Sequence, residues 1–302
     1  MIPGSRISQP GEGIPIALLQ YLILLVLAYL VSYLGLTYFT RFLSQAGLVR
    51  ANYAGHDIPL GAGLYLLILL PGLFVLAILA GVPALPAKLC AIYAIGSIGF
   101  GLAGLIDDCL GTAGDKGFRG HFRALLREGR LTSGAIKAVF GGVIALLTAL
   151  ILAYFYPKLF GPWYQVLLNA MVLALAANTI NLFDLRPGRA GKVFFLGLIV
   201  CTALANHIDR FTGPVLLVAV AFLPLFIRDL RAELMLGDTG ANFLGAAWGL
   251  SMVFWFTLQT KIVAAVLLLA LQILSERVSY SNLIERVSLL RWFDRWGRGA
   301  EK

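Results

Sequence analysis

The chain has 302 residues, of which 60% are hydrophobic and only 13% charged, with a formal net charge of +9. That balance belongs to an integral membrane protein and excludes an ordinary soluble domain. Cys90, Cys109 and Cys201 lie in or beside apolar runs and suggest no disulfide framework.

The first apolar run, near residues 14–40, follows Arg6. It is too long for a signal-peptide core and lacks a small-x-small cleavage site, so it is expected to remain as a span. Runs long enough to cross a bilayer follow near 60–82, 88–106, 132–156, 164–182, 193–208, 213–227, 240–257 and 261–276. They predict an all-α, polytopic transmembrane helix bundle of about nine to ten spans. One membrane domain covers 1–276, and a basic amphipathic tail covers 277–302. The short alternating segments of a β-barrel are not seen.

Charge sets the orientation. With the N-terminus outside and the spans alternating, every one of the 24 lysines and arginines falls inside except Arg6, Lys88, Lys158, Arg210 and Lys261. Of the 15 acids only Glu12 and Asp209 fall outside, so polar clusters converge on the cytoplasmic face. The basic residues are spread over separate loops, which argues against nucleic acid and for anionic lipid or phosphate.

The first cluster closes the third span as "GLIDDCLG", residues 104–111, behind a small-residue face of Gly96, Gly99, Gly101 and Gly104. Adjacent Asp107 and Asp108 are unfavourable at a helix C-terminus, where they oppose the dipole and repel each other. A divalent cation explains them better than a solvated helix end. The following loop carries Asp115, Lys116, Arg119, His121, Arg123, Arg127 and Arg130, with apolar residues at helical spacing that place it in the headgroup layer. Lys137, just inside the fourth span, either snorkels or meets a phosphate.

The second cluster, "AANTINLFDLRPGRAGK" over 176–192, ends the fifth span. Asn178, Asn181 and Asp184 recur every third residue along one side of a helix, and Arg186, Arg189 and Lys192 follow. Oxygen ligands beside basic groups suit a nucleotide or pyrophosphate, although positive-inside bias alone accounts for the arginines. The third cluster, "LMLGDTGANFLG" over 234–245, opens the eighth span. Taken alone, Asp238 there reads first as an N-cap, at a helix N-terminus that also suits an anion. In the tail, Leu283, Val287 and Leu290 share a stripe, and Trp292 and Trp296 suit an interfacial anchor.

As an ordered set these clusters resemble the polyprenyl-phosphate N-acetylhexosamine-1-phosphate transferase superfamily, over about residues 50–250. "GLIDD" is similar to its Asp-Asp motif and "NTINLFD" to its Asn-x-x-Asn-x-x-Asp motif. "LGDTG" is similar to its third motif, and "GHDIPLGAG" at 55–63 to a degenerate Pro-Thr-x-Gly-Gly stretch. The resemblance implies transfer of a sugar-1-phosphate from a nucleoside-diphosphate sugar, usually UDP-linked, to polyprenyl (undecaprenyl) phosphate, with release of UMP. It implies Mg²⁺, with Mn²⁺ as an alternative, held by Asp108 and Asp238. Asp107 orients or deprotonates the lipid phosphate, which completes a catalytic group of Asp107, Asp108 and Asp238. Lys116 and Lys137 would face phosphate, and Asn181 and Asp184 would position the donor diphosphate. Asn178, Arg186 and Arg189 join that substrate-binding set. The setting implied is the bacterial cytoplasmic membrane, with the site facing the cytoplasm, in cell-envelope glycan synthesis; a homodimer is left open.

The sequence also departs from the family. "DLRPGRAG" puts Pro187 and Gly188 where a second Asp-Gly pair is frequent, Met235 stands where an aromatic is common, and a late histidine-rich loop is missing. These changes point away from the muramoyl-pentapeptide branch. They keep open an altered homologue that binds polyprenyl phosphate or a partner enzyme without turnover. A secondary transporter would put its acids near the midplane in repeated, broken helices, and here the acids sit at one surface.

Overall fold

The computed structural model describes residues 15–52, 55–110, 132–205 and 208–298. In chain order the elements are α1 (Ile16–Gln45), a two-stranded antiparallel pair β1 (Val49–Ala51) and β2 (Asp57–Pro59), α2 (Leu64–Leu79) and α3 (Ala87–Leu110). Then come α4 (Ser133–Phe155), α5 (Pro157–Phe160), α6 (Trp163–Phe183), α7 (Arg189–Ala203), α8 (Ile208–Leu230) and α9 (Gly237–Trp255). α10 (Leu258–Ser275), α11 (Tyr280–Arg286) and α12 (Ser288–Arg295) complete the chain.

The protein is thus an all-α, polytopic membrane fold, with six helices among the described residues (α1, α3, α4, α6, α8 and α10) long and apolar enough to cross a bilayer. α2, α7 and α9 fall on the remaining expected spans. Sequence and structure differ at the ends. α3 runs on through both aspartates to Leu110, where the apolar run stops at 106, so Asp107 and Asp108 belong to its last turns. The tail holds two short helices, because Val287 adopts φ −94°, ψ 113° and divides it into α11 and α12.

α9 is the axis of the bundle. Every residue from Thr239 to Trp255 is buried, chiefly against α3 and α6. Small residues make this possible: a Cβ at Gly245 would overlap the backbone of Ala177, and one at Gly249 would press on Ala176 and Leu173. Association of helices in lipid relies on such close approach rather than on a hydrophobic drive. Because α9 is wrapped in protein, it tolerates Asn242 and Ser251 in its interior. The outer helices instead turn Ile23, Val26 and Leu34 of α1 and Val263, Val266 and Leu267 of α10 outward, as a lipid-facing surface requires.

The two ends of the bundle differ in chemistry. At one, Tyr156, Phe160, Phe211 and Phe254 pack ring against ring, and Lys261 is buried among them, bonded to Gln165 Oε1 at 3.1 Å and Asn169 Oδ1 at 3.0 Å. The other end gathers the C-termini of α3, α6 and α8 and the N-termini of α2, α4, α7 and α9.

Candidate active site

Three stretches of backbone meet at that second end. Met235 N–H donates to the Pro59 carbonyl at 2.8 Å, Ala62 N–H to Met235 O at 2.9 Å and Gly63 N–H to Leu236 O at 2.9 Å. The "PLGAG" stretch therefore runs alongside "LMLG". Gly237 then enters α9 at φ +75°, a left-handed conformation that glycine adopts at little cost. A Cβ on Gly63 would overlap the Gly240 backbone, and one on Gly104 would overlap the Asp238 carbonyl and the Thr239 nitrogen. Glycine is needed at both positions because backbone fills the space.

This approach delivers Asp108 to the start of α9. Its Oδ1 accepts the Asp238 N–H at 3.0 Å, and its Oδ2 accepts the Thr239 N–H at 2.9 Å and the Thr239 hydroxyl at 2.6 Å. The first N–H groups of a helix have no partner within it, and a carboxylate there is favoured by the dipole as well. Asp108 is thus the cap that α9 lacks in its own sequence, since Leu236 at the N-cap makes no side-chain bond. This corrects two expectations. Asp238 is not the cap, and Asp108, expected to be solely a site residue, has both oxygens engaged by α9.

Asp107 points elsewhere. Lys137 Nζ, from the first turns of α4, lies 3.3 Å from Asp107 Oδ2 and is also paired with Asp238 Oδ2. The lysine side chain is 14% exposed while the two acids are 26% and 31% exposed, so the ammonium sits beneath a pair of carboxylates open to one side. Asn181 Nδ2 donates to Asp238 Oδ2 at 3.3 Å, and its Oδ1 is buried without a hydrogen-bond partner among the described residues. Asp107, Lys137, Asn181 and Asp238 come from four helices and form one constellation.

The other expected residues divide. Asp184 follows the last residue of α6 and accepts the Gly237 N–H, which keeps it beside the constellation. Burial, and the charges of Asp229, Asp238 and Asp108, push its carboxyl well above the usual carboxylate range. Asn178 turns away: its Nδ2 donates to Gln272 Oε1 of α10 at 2.5 Å, and Gln272 Nε2 donates to Thr179 Oγ1 at 2.9 Å. Arg186 is exposed on the loop. Arg189 is turned to the tail. Its Nε and Nη2 grip Asp294 Oδ1 and Oδ2 at 2.7 and 3.0 Å, and its Nη1 donates to Ser281 Oγ at 2.9 Å. Lys116 and the basic, amphipathic piece around it lie outside the described residues.

The donor set suits a hard cation. Among the described residues no three acidic, histidine or cysteine side chains gather as a metal cage. Mg²⁺ does not need one, since it is commonly held by one or two carboxylates together with substrate phosphates. Asp107, Asp238 and the Asn181 oxygen could supply that kind of site, and Lys137 could supply a point charge for a phosphate.

The match with known families falls on the same elements. Residues 90–256 match the family described as glycosyl transferase family 4, and no curated protein matches the chain. The matched stretch runs from α3 through α9 and covers more than half of the protein. The chain belongs to that family of polyprenyl-phosphate hexosamine-1-phosphate transferases, and it is a phospho-sugar transferase.

Proposed function

We propose that this member of glycosyl transferase family 4 moves a sugar-1-phosphate from a UDP-sugar to undecaprenyl phosphate at the cytoplasmic face of a bacterial inner membrane, releasing UMP, for cell-envelope glycan synthesis. The observation that carries this reading is Lys137 between Asp107 and Asp238, beside a buried amide oxygen that has no hydrogen-bond partner among the described residues. Carboxylates, ammonium and free oxygen gather at helix ends, where a lipid headgroup and a soluble nucleotide can both arrive.

The chemistry is a phosphoryl transfer, in which positioning and charge stabilisation do most of the work. An oxygen of the lipid phosphate attacks the sugar-bearing phosphorus of the donor. The bond from that phosphorus to the bridging oxygen breaks, and UMP leaves with that oxygen. Lys137 Nζ holds a phosphate oxygen, exchanging part of its contact with the two acids for the substrate. Asp107 Oδ2 orients the lipid phosphate and takes its proton when that phosphate arrives monoanionic. Asn181 and Asp184 position the donor diphosphate, and Asp108 keeps the α9 N-terminus, and so Asp238, in register. Held by Asp238 and Asn181 with the substrate phosphates, Mg²⁺ would neutralise charge on the pyrophosphate.

The test is UMP release by purified protein given undecaprenyl phosphate, Mg²⁺ and a panel of UDP-sugars, with Asp238→Asn alongside. UMP that requires the lipid, falls with EDTA and is lost in the variant supports the reading. Turnover that persists in Asp238→Asn, or that does not depend on lipid, rejects it.

A further inference from the structure

The loop after Asp184 is one place where the sequence departs from the family pattern, and the C-terminal tail is packed directly onto it. Arg189 forms its two-pronged pair with Asp294 and reaches Ser281 as well. Arg298 lies 2.8 Å from Asp294 Oδ2 and donates through Nε to the Pro187 carbonyl at 3.0 Å. Lys192 Nζ donates to the carbonyls of Phe293 and Asp294 at 2.9 and 2.6 Å, closing the C-terminal turn of α12. On the near side of the loop, the Tyr280 ring stacks on Phe183 at 5.2 Å and 14°. Asp229 of α8 takes the Gly188 N–H at 3.0 Å.

These groups are costly to bury. The side chains of Arg189 and Asp294 are each 4% exposed and that of Arg298 is 8%. Charges so far from water persist only when each is paired and hydrogen-bonded, and removing one member strands the others. A tail serving only to rest on the headgroup layer needs none of this, because the exposed Leu289, Trp292 and Trp296 on the other side of α12 suffice for that. The buried network lies instead at Pro187, Gly188 and Arg189, within five residues of Asp184.

We infer that Asp294 is a positioning residue. Acting through Arg189 and Arg298, it holds the 184–189 loop in the shape that presents Asp184 to the nucleotide-sugar donor, so the tail completes the donor side of the site. Pro187, Gly188 and Arg189 thereby gain a purpose in place of the missing Asp-Gly pair. This inference rests on the transferase reading above.

The experiment uses full-length protein in detergent, comparing wild type with Asp294→Asn, Asp294→Glu and the milder Arg298→Leu. Two readouts are taken: amide hydrogen exchange over 183–192, and steady-state kinetics in each substrate. In Asp294→Asn the loop should exchange faster, and the donor KM should rise between about tenfold and a hundredfold, the scale set by a misplacement of about 1 Å. The KM for undecaprenyl phosphate should stay within about twofold, because nothing in the clamp touches the acids that receive the lipid phosphate. Arg298→Leu should show a smaller shift of the same kind, and Asp294→Glu should restore most of the donor KM. Unchanged exchange in folded Asp294→Asn overturns the clamp. A loosened loop with unchanged donor KM, or an equal loss toward both substrates, overturns positioning. If wild type turns nothing over, the transferase reading falls, and the exchange data alone uphold or overturn the clamp.

Discussion

Replacing Asp108 by asparagine separates a cap from a ligand. In the structure the carboxylate accepts two backbone N–H groups and one hydroxyl, at 3.0, 2.9 and 2.6 Å. An asparagine of the same shape keeps one acceptor oxygen and turns an NH₂ toward the helix. The Thr239 hydroxyl can rotate and accept from it, but in either amide orientation one backbone N–H of α9 faces a donor. The loss is a charge-assisted bond, roughly 1.5–3 kcal/mol, and part of the desolvation penalty of an orphaned N–H, about 1–3 kcal/mol. A total near 3 kcal/mol corresponds to a fall of about 5 °C in apparent Tm at a fixed scan rate, from an unfolding entropy of about 2.1 cal/mol/K per residue. Thr239→Val removes only the hydroxyl arm and should cost about 1 kcal/mol. Scanning fluorimetry in one detergent, without added metal, makes the comparison. A folded Asp108→Asn protein melting within a degree of wild type would refute the cap, and its activity loss would then belong to metal binding after all.

Other outcomes follow from the same geometry. Gly104→Ala, whose Cβ would meet rigid backbone at Asp238 and Thr239, should destroy the folded yield, whereas Gly142→Ala, with open space around its Cβ, should express normally and melt no lower than wild type. Lys137→Met should lower kcat by about 10² to 10³, the effect of losing one preorganised electrostatic group, and Lys137→Arg should not restore it, because a planar fork cannot replace a point charge between two acids; recovery by arginine in the UMP assay would contradict this. Burial pushes the Asp294 carboxyl up, but the bonds and charges of Arg189 and Arg298 outweigh it and hold it below the usual carboxylate range. Its stabilisation is therefore complete above the unfolded value of about 3.9 and is lost as pH falls through the lower folded value. The tail should stay docked from pH 7 to about 4.5 and release only below about pH 4; tryptophan emission from Trp292 and Trp296 reports it, and release at pH 5–6 would count against the clamp.

Much of this architecture was legible from apolar run lengths, since lipid permits few solutions besides helices. The three motifs were legible as acids and amides placed where membrane proteins seldom keep them. What escaped was direction. Asp107 and Asp108 are neighbours in sequence, yet consecutive helical residues point about 100° apart, so one reaches Lys137 and the other reaches α9. The same arithmetic divides Asn178 from Asp184: steps of three residues drift by about 60° each, and two steps carry Asn178 round to Gln272. Arg189 looked like one of many positive-inside arginines, and its partner lies 105 residues away. A signal did exist in Asp294, which stands amid the arginines of the tail. The strands at 49–51 and 57–59 are three residues each and mostly exposed, too short for any period to show.

The measurement that bears most directly on the account uses a UDP-sugar labelled at its β-phosphorus, the one bound to the sugar, incubated with the protein, undecaprenyl phosphate and Mg²⁺. The account expects the label in the lipid fraction as a pyrophosphate, with one UMP formed for each labelled lipid, and neither product from Lys137→Met above about one hundredth of the wild-type rate. Label released as UDP, with the sugar alone on the lipid, would mean transfer at the sugar carbon rather than at phosphorus, and would contradict the roles given to Asp107, Lys137 and Asp238.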